Sequence, residues 1–274
     1  MRQTLSRVLP MLGTRTLVMG IVNVTPDSFA DGGRYVEPAA ALTHALALEA
    51  AGADLIDIGA ESTRPGFTPL TVDEQWSRLG PALTEIRREV RVPLSIDTCH
   101  AQVALRALAA GVEIVNDVSG GTRDPDMFAA VAQSGAPYVL MHSGALRRTH
   151  PVAGLPVEQA VARDLEQALA AAVAHGMSEE AVIVDPGIGF GKTQAENLRL
   201  VAGLDALRAL GRPILIGTSR KSFVGNVLGL PVSERLEGTA ATVAIAVARG
   251  ADIVRVHDVR EMVRVVRMTD ALVR

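Results

Sequence analysis

The chain has 274 residues, 48 % of them hydrophobic and 21 % charged, with a formal net charge of −3 at pH 7. That composition supports a large buried core and supplies no global field for nucleic acid or an anionic membrane. The single cysteine, Cys99, excludes an intrachain disulfide, and no apolar run approaches the roughly 18 residues that span a bilayer.

In chain order, residues 1–16 come first, interrupted by Arg7, Pro10 and Arg15 and so a poor signal peptide. The expectation is a soluble, cytoplasmic protein. Eight short runs rich in Val, Ile and Leu follow: 17–24, 54–61, 93–98, 113–120, 137–143, 181–187, 213–219 and 252–258. They lack clean alternation, as strands buried on both faces of a parallel sheet do. Between them lie segments of helical period, such as ALTHALALEAAG, HAQVALRALAAG, EQALAAAVAHG and TVAIAVARG. Gly52, Gly111, Gly135, Gly176, Gly211 and Gly250 stand just before the next strand, where glycine can end a helix in the left-handed conformation. Eight strand–helix units predict an α/β chain folded as one (β/α)8 barrel over 17–274, with 1–16 as an extension across its N-terminal mouth. An open doubly wound sheet is the alternative with this element order.

In such a barrel the C-terminal strand ends carry the chemistry. Polar residues collect there: Asn23; Asp57 and the Glu61–Arg64 stretch; Asp97; Asn116 and Asp117; His142; Asp185; Ser219, Arg220 and Lys221; Arg255 and His257. Singly, a strand-end Asp or Asn caps or turns the chain. Mid-strand Asp57 reads as a buried partner of a backbone amide or an arginine, and His142 as a satisfied core histidine. Together they describe a site. Asp97, Asn116 and Asp185 suit a flat heterocycle with an amino–imino edge, since a carboxylate accepts two parallel N–H bonds. Lys221 can donate to a ring carbonyl or nitrogen. Arg64, Arg255 and His257 offer positive charge for an anion such as phosphate. With 3 % aromatic residues, stacking falls to Phe190 or the guanidinium plane of Arg255.

Two tempting motifs fail. PGIGFGKT (186–193) ends like a phosphate loop, but Pro186 replaces the first glycine and Lys192 stands at the third glycine position of GxGxxG. Without HExxH or CxxC, and with scattered histidines, a zinc site is not indicated. Cys99 reads as a small packing residue.

NVTPDSFADGG, ESTRPG, SIDT, VNDVSGG, DPGIGFGKT, GTSRKSFVG and RVHDV occur in this order. At these spacings the chain resembles the dihydropteroate synthase family over residues 17–265. The resemblance implies that a pterin diphosphate condenses with p-aminobenzoate (4-aminobenzoate) in folate biosynthesis, with Mg²⁺ as cofactor and a homodimer as the assembly. It implies Asp97, Asn116, Asp185 and Lys221 around the pterin. Arg255 would stack on the ring and, with Asn23, Thr63 and His257, face the diphosphate, Asn23 reaching the metal. It implies catalytic roles for Asp97, Lys221, Arg255 and His257. Phe29, Thr63, Arg64, Pro65, Lys221 and Ser222 would form the p-aminobenzoate pocket, beside Phe190. Asp31 and Arg64 would meet when two loops close. MHSGALRRTHPVAG (141–154) keeps only Met141 and His142 of the family's usual pattern there. The rival readings are a pterin-binding methyltransferase barrel and a non-catalytic paralogue.

Overall fold

A computed structural model describes residues 5–24, 38–61, 69–146 and 154–274. Every run expected as a strand contains one: β1 (Leu17–Asn23), β2 (Leu55–Gly59), β3 (Leu94–Asp97), β4 (Ile114–Asp117), β5 (Tyr138–Met141), β6 (Val182–Asp185), β7 (Leu215–Ile216) and β8 (Ile253–Val256). All pairings are parallel, in the order β6-β5-β4-β3-β2-β1-β8-β7. A parallel bridge between Val184 and Ile214 joins the two ends, so the sheet closes into a barrel and the open-sheet alternative falls.

The helices are α1 (Leu5–Val8), α2 (Pro38–Ala50), α3 (Val72–Glu89), α4 (Ala101–Ala109), α5 (Met127–Ser134), α6 (Val157–Ala174), α7 (Gln194–Ala202), α8 (Ser222–Leu228), α9 (Leu236–Ala248) and α10 (Val259–Val273). The six glycines expected before strands all have positive φ, from 63° at Gly211 to 100° at Gly52. There the missing Cβ lets the chain turn back to the sheet at little cost. Thr71 and Thr193 open α3 and α7 with reciprocal capping boxes to Glu74 and Glu196, satisfying donors that the first helical turn leaves unpaired.

Two apolar layers explain where polar chemistry can sit. The larger lies between strands and helices. The smaller fills the barrel's lower interior: Leu5, Val8 and Leu9 of the first turn and helix pack against Leu17, Met19, Leu55, Ile114, Val139, Ile183, Leu215 and Ile253. These residues stand at or near the strand starts, which seals the N-terminal end without charge. The upper interior is left for Asp57, Asp97, Asn116, Asp185 and Arg255.

Candidate active site

Strand register brings the first polar residues together. Cα pairing runs from Asn23 to Gly59, then Asp97, then Asn116, in one row across β1 to β4. Gly59 matters because a Cβ there would come within 3.2 Å of the Asp97 Cβ, crowding the carboxylate. One residue pair deeper lies Asp57, with no exposed surface. Its Oδ2 accepts from Asn116 Nδ2 at 2.9 Å and from Arg255 Nε at 2.7 Å. Arg255 also donates from Nη2 to Asp97 Oδ2 at 2.9 Å. Of the two partners open to Asp57 from sequence, the structure selects the arginine, and adds an asparagine.

This arrangement changes what Arg255 offers. Its charge is divided between two carboxylates, and two of its edges are held, so the guanidinium is a fixed plane rather than a free cation. Desolvation pushes Asp97 above the ordinary carboxylate range, against the pull of Arg255 and with the help of Asp57.

Asp185, at the end of β6, is buried; its Oδ1 accepts the Gly187 N–H at 2.6 Å. Burial raises its pKa, while Lys221 and the Gly187 amide oppose the rise. Lys221 precedes α8, donates to the Ile188 carbonyl, and holds its ammonium 4.9 Å from the Phe190 ring centroid. Desolvation lowers its pKa to about 8, and Asp185 limits the fall. Ser222, the first residue of α8, is exposed.

His257 directly follows β8. Its rim is open to solvent, yet desolvation followed by the charges of Arg255 and Arg220 pushes the imidazole down to about 4. Ser219 Oγ meets both the His257 backbone N–H, at 3.1 Å, and Nδ1, at 2.9 Å. Arg220 has φ 56° and forms a two-point ion pair with Asp258, which steadies the turn before Lys221.

Asp117 is not part of this mouth. Its carboxylate accepts from the Ser119 and Gly121 amides and from Tyr138 Oη, so it builds the loop after β4. His142 is buried beside Asp164, at 3.2 Å, and desolvation holds it down to about 4, which matches a neutral core histidine. Cys99 is buried, and desolvation and Asp117 raise its thiol pKa, so it stays protonated. Phe29, Asp31, Thr63, Arg64, Pro65 and the loop 147–153 lie outside the described residues. At the end of the described β2 segment, Glu61 accepts from Gln75 at 2.7 Å and Arg123 at 2.9 Å, and Gln75 in turn accepts from Thr98.

Sequence reasoning passed over Lys192 and Asn197. Lys192 Nζ donates to the His142, Gly187 and Phe190 carbonyls at 3.1, 2.9 and 3.2 Å. Asn197 Oδ1 accepts from Gly189 N at 2.7 Å. The glycine-rich run around them was the available signal.

A closed parallel barrel whose C-terminal mouth brings together buried carboxylates, an asparagine, a lysine and a fixed arginine defines an enzyme class that grips a polar heterocycle. Known proteins narrow that class. Residues 19–257 match the pterin binding enzyme family. The dihydropteroate synthase of Bacillus subtilis (strain 168) is 46 % identical over 94 % of this chain and 89 % of its own. A dihydropteroate synthase structure from Clostridium difficile, solved in the presence of pteroic acid, superposes with a TM-score of 0.90 at 41 % identity, covering 95 % of this chain and 98 % of that one. The Xanthomonas albilineans enzyme with 4-aminobenzoic acid gives 0.88 at 41 % identity, over 94 % and 93 %. The chain belongs to the pterin binding enzyme family, among its dihydropteroate synthases.

Proposed function

We infer that the chain condenses (7,8-dihydropterin-6-yl)methyl diphosphate with 4-aminobenzoate, giving 7,8-dihydropteroate and diphosphate. The observation that carries the site-level reading is the convergence of Asp97, Asn116, Asp185 and Lys221 on the fixed plane of Arg255. Asp185 would accept from the amino–imino edge of the pterin, and Lys221 would donate to its ring carbonyl or nitrogen. Asn116 has one orientation set by Asp57. Arg255 would stack on the ring.

The reaction breaks the methylene C–O bond, and the electron pair leaves with diphosphate. Positive charge on the methylene spreads into the ring, where Asp97 stabilises it. The amine lone pair of 4-aminobenzoate then forms the C–N bond, and the extra proton leaves to solvent or diphosphate. The attacking amine is neutral, so this route needs no strong base. His257 and Asn23 would face the diphosphate.

Mg²⁺ fits this donor set as a substrate-shared ion. Asn23 is exposed at the barrel mouth with a hard amide oxygen, and among the described residues no group of three His, Cys, Asp or Glu forms a protein cage. Asn23 would hold the ion, which when bound would neutralise the leaving diphosphate.

A diphosphate-release assay tests the function. Release requiring both substrates is expected; release without 4-aminobenzoate, methyl transfer to a corrinoid, or pterin binding without turnover would each overturn it. The pH dependence of kcat/KM follows from the site. Asp97 must be ionised and Lys221 protonated. Activity should therefore fall on the acid side at a pH above the ordinary carboxylate range, and on the alkaline side near 8. A flat profile to pH 10 would remove Lys221 from the pterin contact.

We place the chain in the cytoplasm as a homodimer. No helix among the described residues is long and apolar enough to cross a membrane. Leu198 on α7, Ile245 on α9, and Met268 and Leu272 on α10 are exposed on neighbouring helices, an apolar face that a second copy would cover. Ile245→Glu should then shift the sedimentation of the chain from dimer to monomer; an unchanged dimer would place the interface elsewhere.

A further inference from the structure

The GKT tripeptide, rejected as a phosphate loop, has a structural role of its own. Thr193 caps α7. Lys192 turns inward and directs its ammonium at three carbonyls, those of His142, Gly187 and Phe190. An ammonium carries three N–H donors, enough for all three acceptors. All three carbonyls lie beyond the last pair of the β5–β6 ladder, Met141 with Asp185, in and beside a turn with positive φ at Gly187, Gly189 and Gly191, and the Gly187 carbonyl also accepts the Phe190 N–H at 3.1 Å. The fit is close: a Cβ on Gly187 would come within 1.9 Å of the His142 oxygen. On the other side buried Asn197 accepts from Gly189 N and donates to the Lys192 and Thr193 carbonyls, at 3.3 and 2.9 Å.

This turn carries part of the pocket. Gly187 N binds Asp185, the Ile188 carbonyl accepts from Lys221, and the Phe190 ring lies against the Lys221 ammonium. We propose that Lys192 is a positioning residue for the pterin: by gathering three carbonyls it fixes the turn that places Lys221 and Asp185, without touching the ligand itself. The inference rests on the pterin-binding reading above and extends it to a residue outside the pocket.

The test uses the full chain with Lys192→Met, which removes all donors, and Lys192→Arg, which restores several. Four quantities are read: the KM for pterin diphosphate, the KM for 4-aminobenzoate, calorimetric binding of a pterin lacking diphosphate, and the alkaline limb of kcat/KM. For Lys192→Met the pterin KM and the diphosphate-free pterin affinity should both worsen by about tenfold or more, the scale of losing charge-assisted hydrogen bonds that hold a site. The 4-aminobenzoate KM should worsen by a smaller factor than the pterin KM, because only Lys221 and Phe190 of its expected pocket lie on or against this turn. The alkaline limb should move, since the groups around Lys221 (Asp185, Asp97, Arg255 and the Ile188 carbonyl) change distance. Lys192→Arg should recover most of the loss. Weakened binding of the diphosphate form alone would overturn the proposal and make Lys192 an anion ligand. A lower kcat with both KM values and the pH profile unchanged would also overturn it, leaving only a contribution to folding. If Lys192→Met does not fold, Asn197→Ser, which frees the other side of the turn, must reproduce the selective pterin loss or the proposal fails. Failure of the unaltered chain to bind the pterin would instead overturn the functional reading.

Discussion

Replacing Asp57 with alanine is expected to lower the unfolding free energy by about 3–5 kcal/mol, the cost of leaving one half of a buried ion pair without its partner. The carboxylate has no exposed surface and takes hydrogen bonds from Arg255 and Asn116. Arg255 would keep Asp97, at 2.9 Å, so its charge would not be wholly uncompensated. It would nevertheless swing toward that single partner, and Asn116 would lose the acceptor that orients it. Turnover should fall below detection, since both changes act on the plane and edge that receive the pterin. Asp57→Asn separates charge from shape: its amide oxygen can replace Oδ2 as acceptor, so the stability loss should be smaller. Asp57→Leu with Arg255→Met should regain stability without regaining activity, because well-packed apolar pairs replace buried ion pairs at little cost. Urea denaturation and the diphosphate-release rate measure both. A stability loss under 1 kcal/mol for Asp57→Ala would show that Asp97 alone accommodates the arginine.

The barrel could be read from the chain because its signals are local. Each strand is a short apolar run, and each of the six glycines before a strand takes the left-handed conformation that only a residue without a Cβ adopts freely. The site residues could be located because strand ends are local too. Their partnerships could not. Arg255 meets Asp97 and Asp57 across separations of 158 and 198 residues, and only barrel closure decides which carboxylate it meets. The same holds for Asp117, which as a strand-end carboxylate looks like Asp97. Strand pleating turns neighbouring residues to opposite faces, so Asn116 enters the barrel while Asp117 binds Tyr138 and the loop amides.

The electrostatic setting of the site was not legible for a related reason. Histidine reads as a cation candidate wherever an anion is expected. In the fold, desolvation and then the charges of Arg255, Arg220 and Lys221 disfavour a positive charge on His257, with Asp258 opposing them. Lys192 shows the converse. Its motif was measured against phosphate loops, and the comparison failed, but the lysine still satisfies a set of oxygens, those of its own backbone. A glycine-rich turn exposes amides or carbonyls according to its φ/ψ values, and no spacing rule distinguishes the two cases.

Asp185→Asn is expected to weaken pterin binding by about 2–4 kcal/mol, the scale of a lost buried charge-assisted pair. The argument is geometric. Asp185 Oδ1 already accepts from Gly187 N at 2.6 Å. If the amide oxygen of asparagine takes over that bond, its NH₂ group replaces the second carboxylate oxygen, and a donor then faces the N–H donors of the pterin edge. If the amide turns over, the NH₂ group meets the Gly187 N–H, and the turn that carries the Ile188 carbonyl must shift. Both orientations lose an acceptor at a buried position, and no rotamer restores it. Lys221 also loses the carboxylate that supports its charge, so its pKa should fall further below about 8 and the alkaline limb of kcat/KM should move to lower pH. The fold should survive, because burial already raises the pKa of Asp185 and removing its charge relieves that penalty. Calorimetry with a pterin, together with the pH profile of the variant, measures both effects. Near-normal pterin affinity with an unmoved alkaline limb would exclude Asp185 from the pocket and leave it as an organiser of the turn.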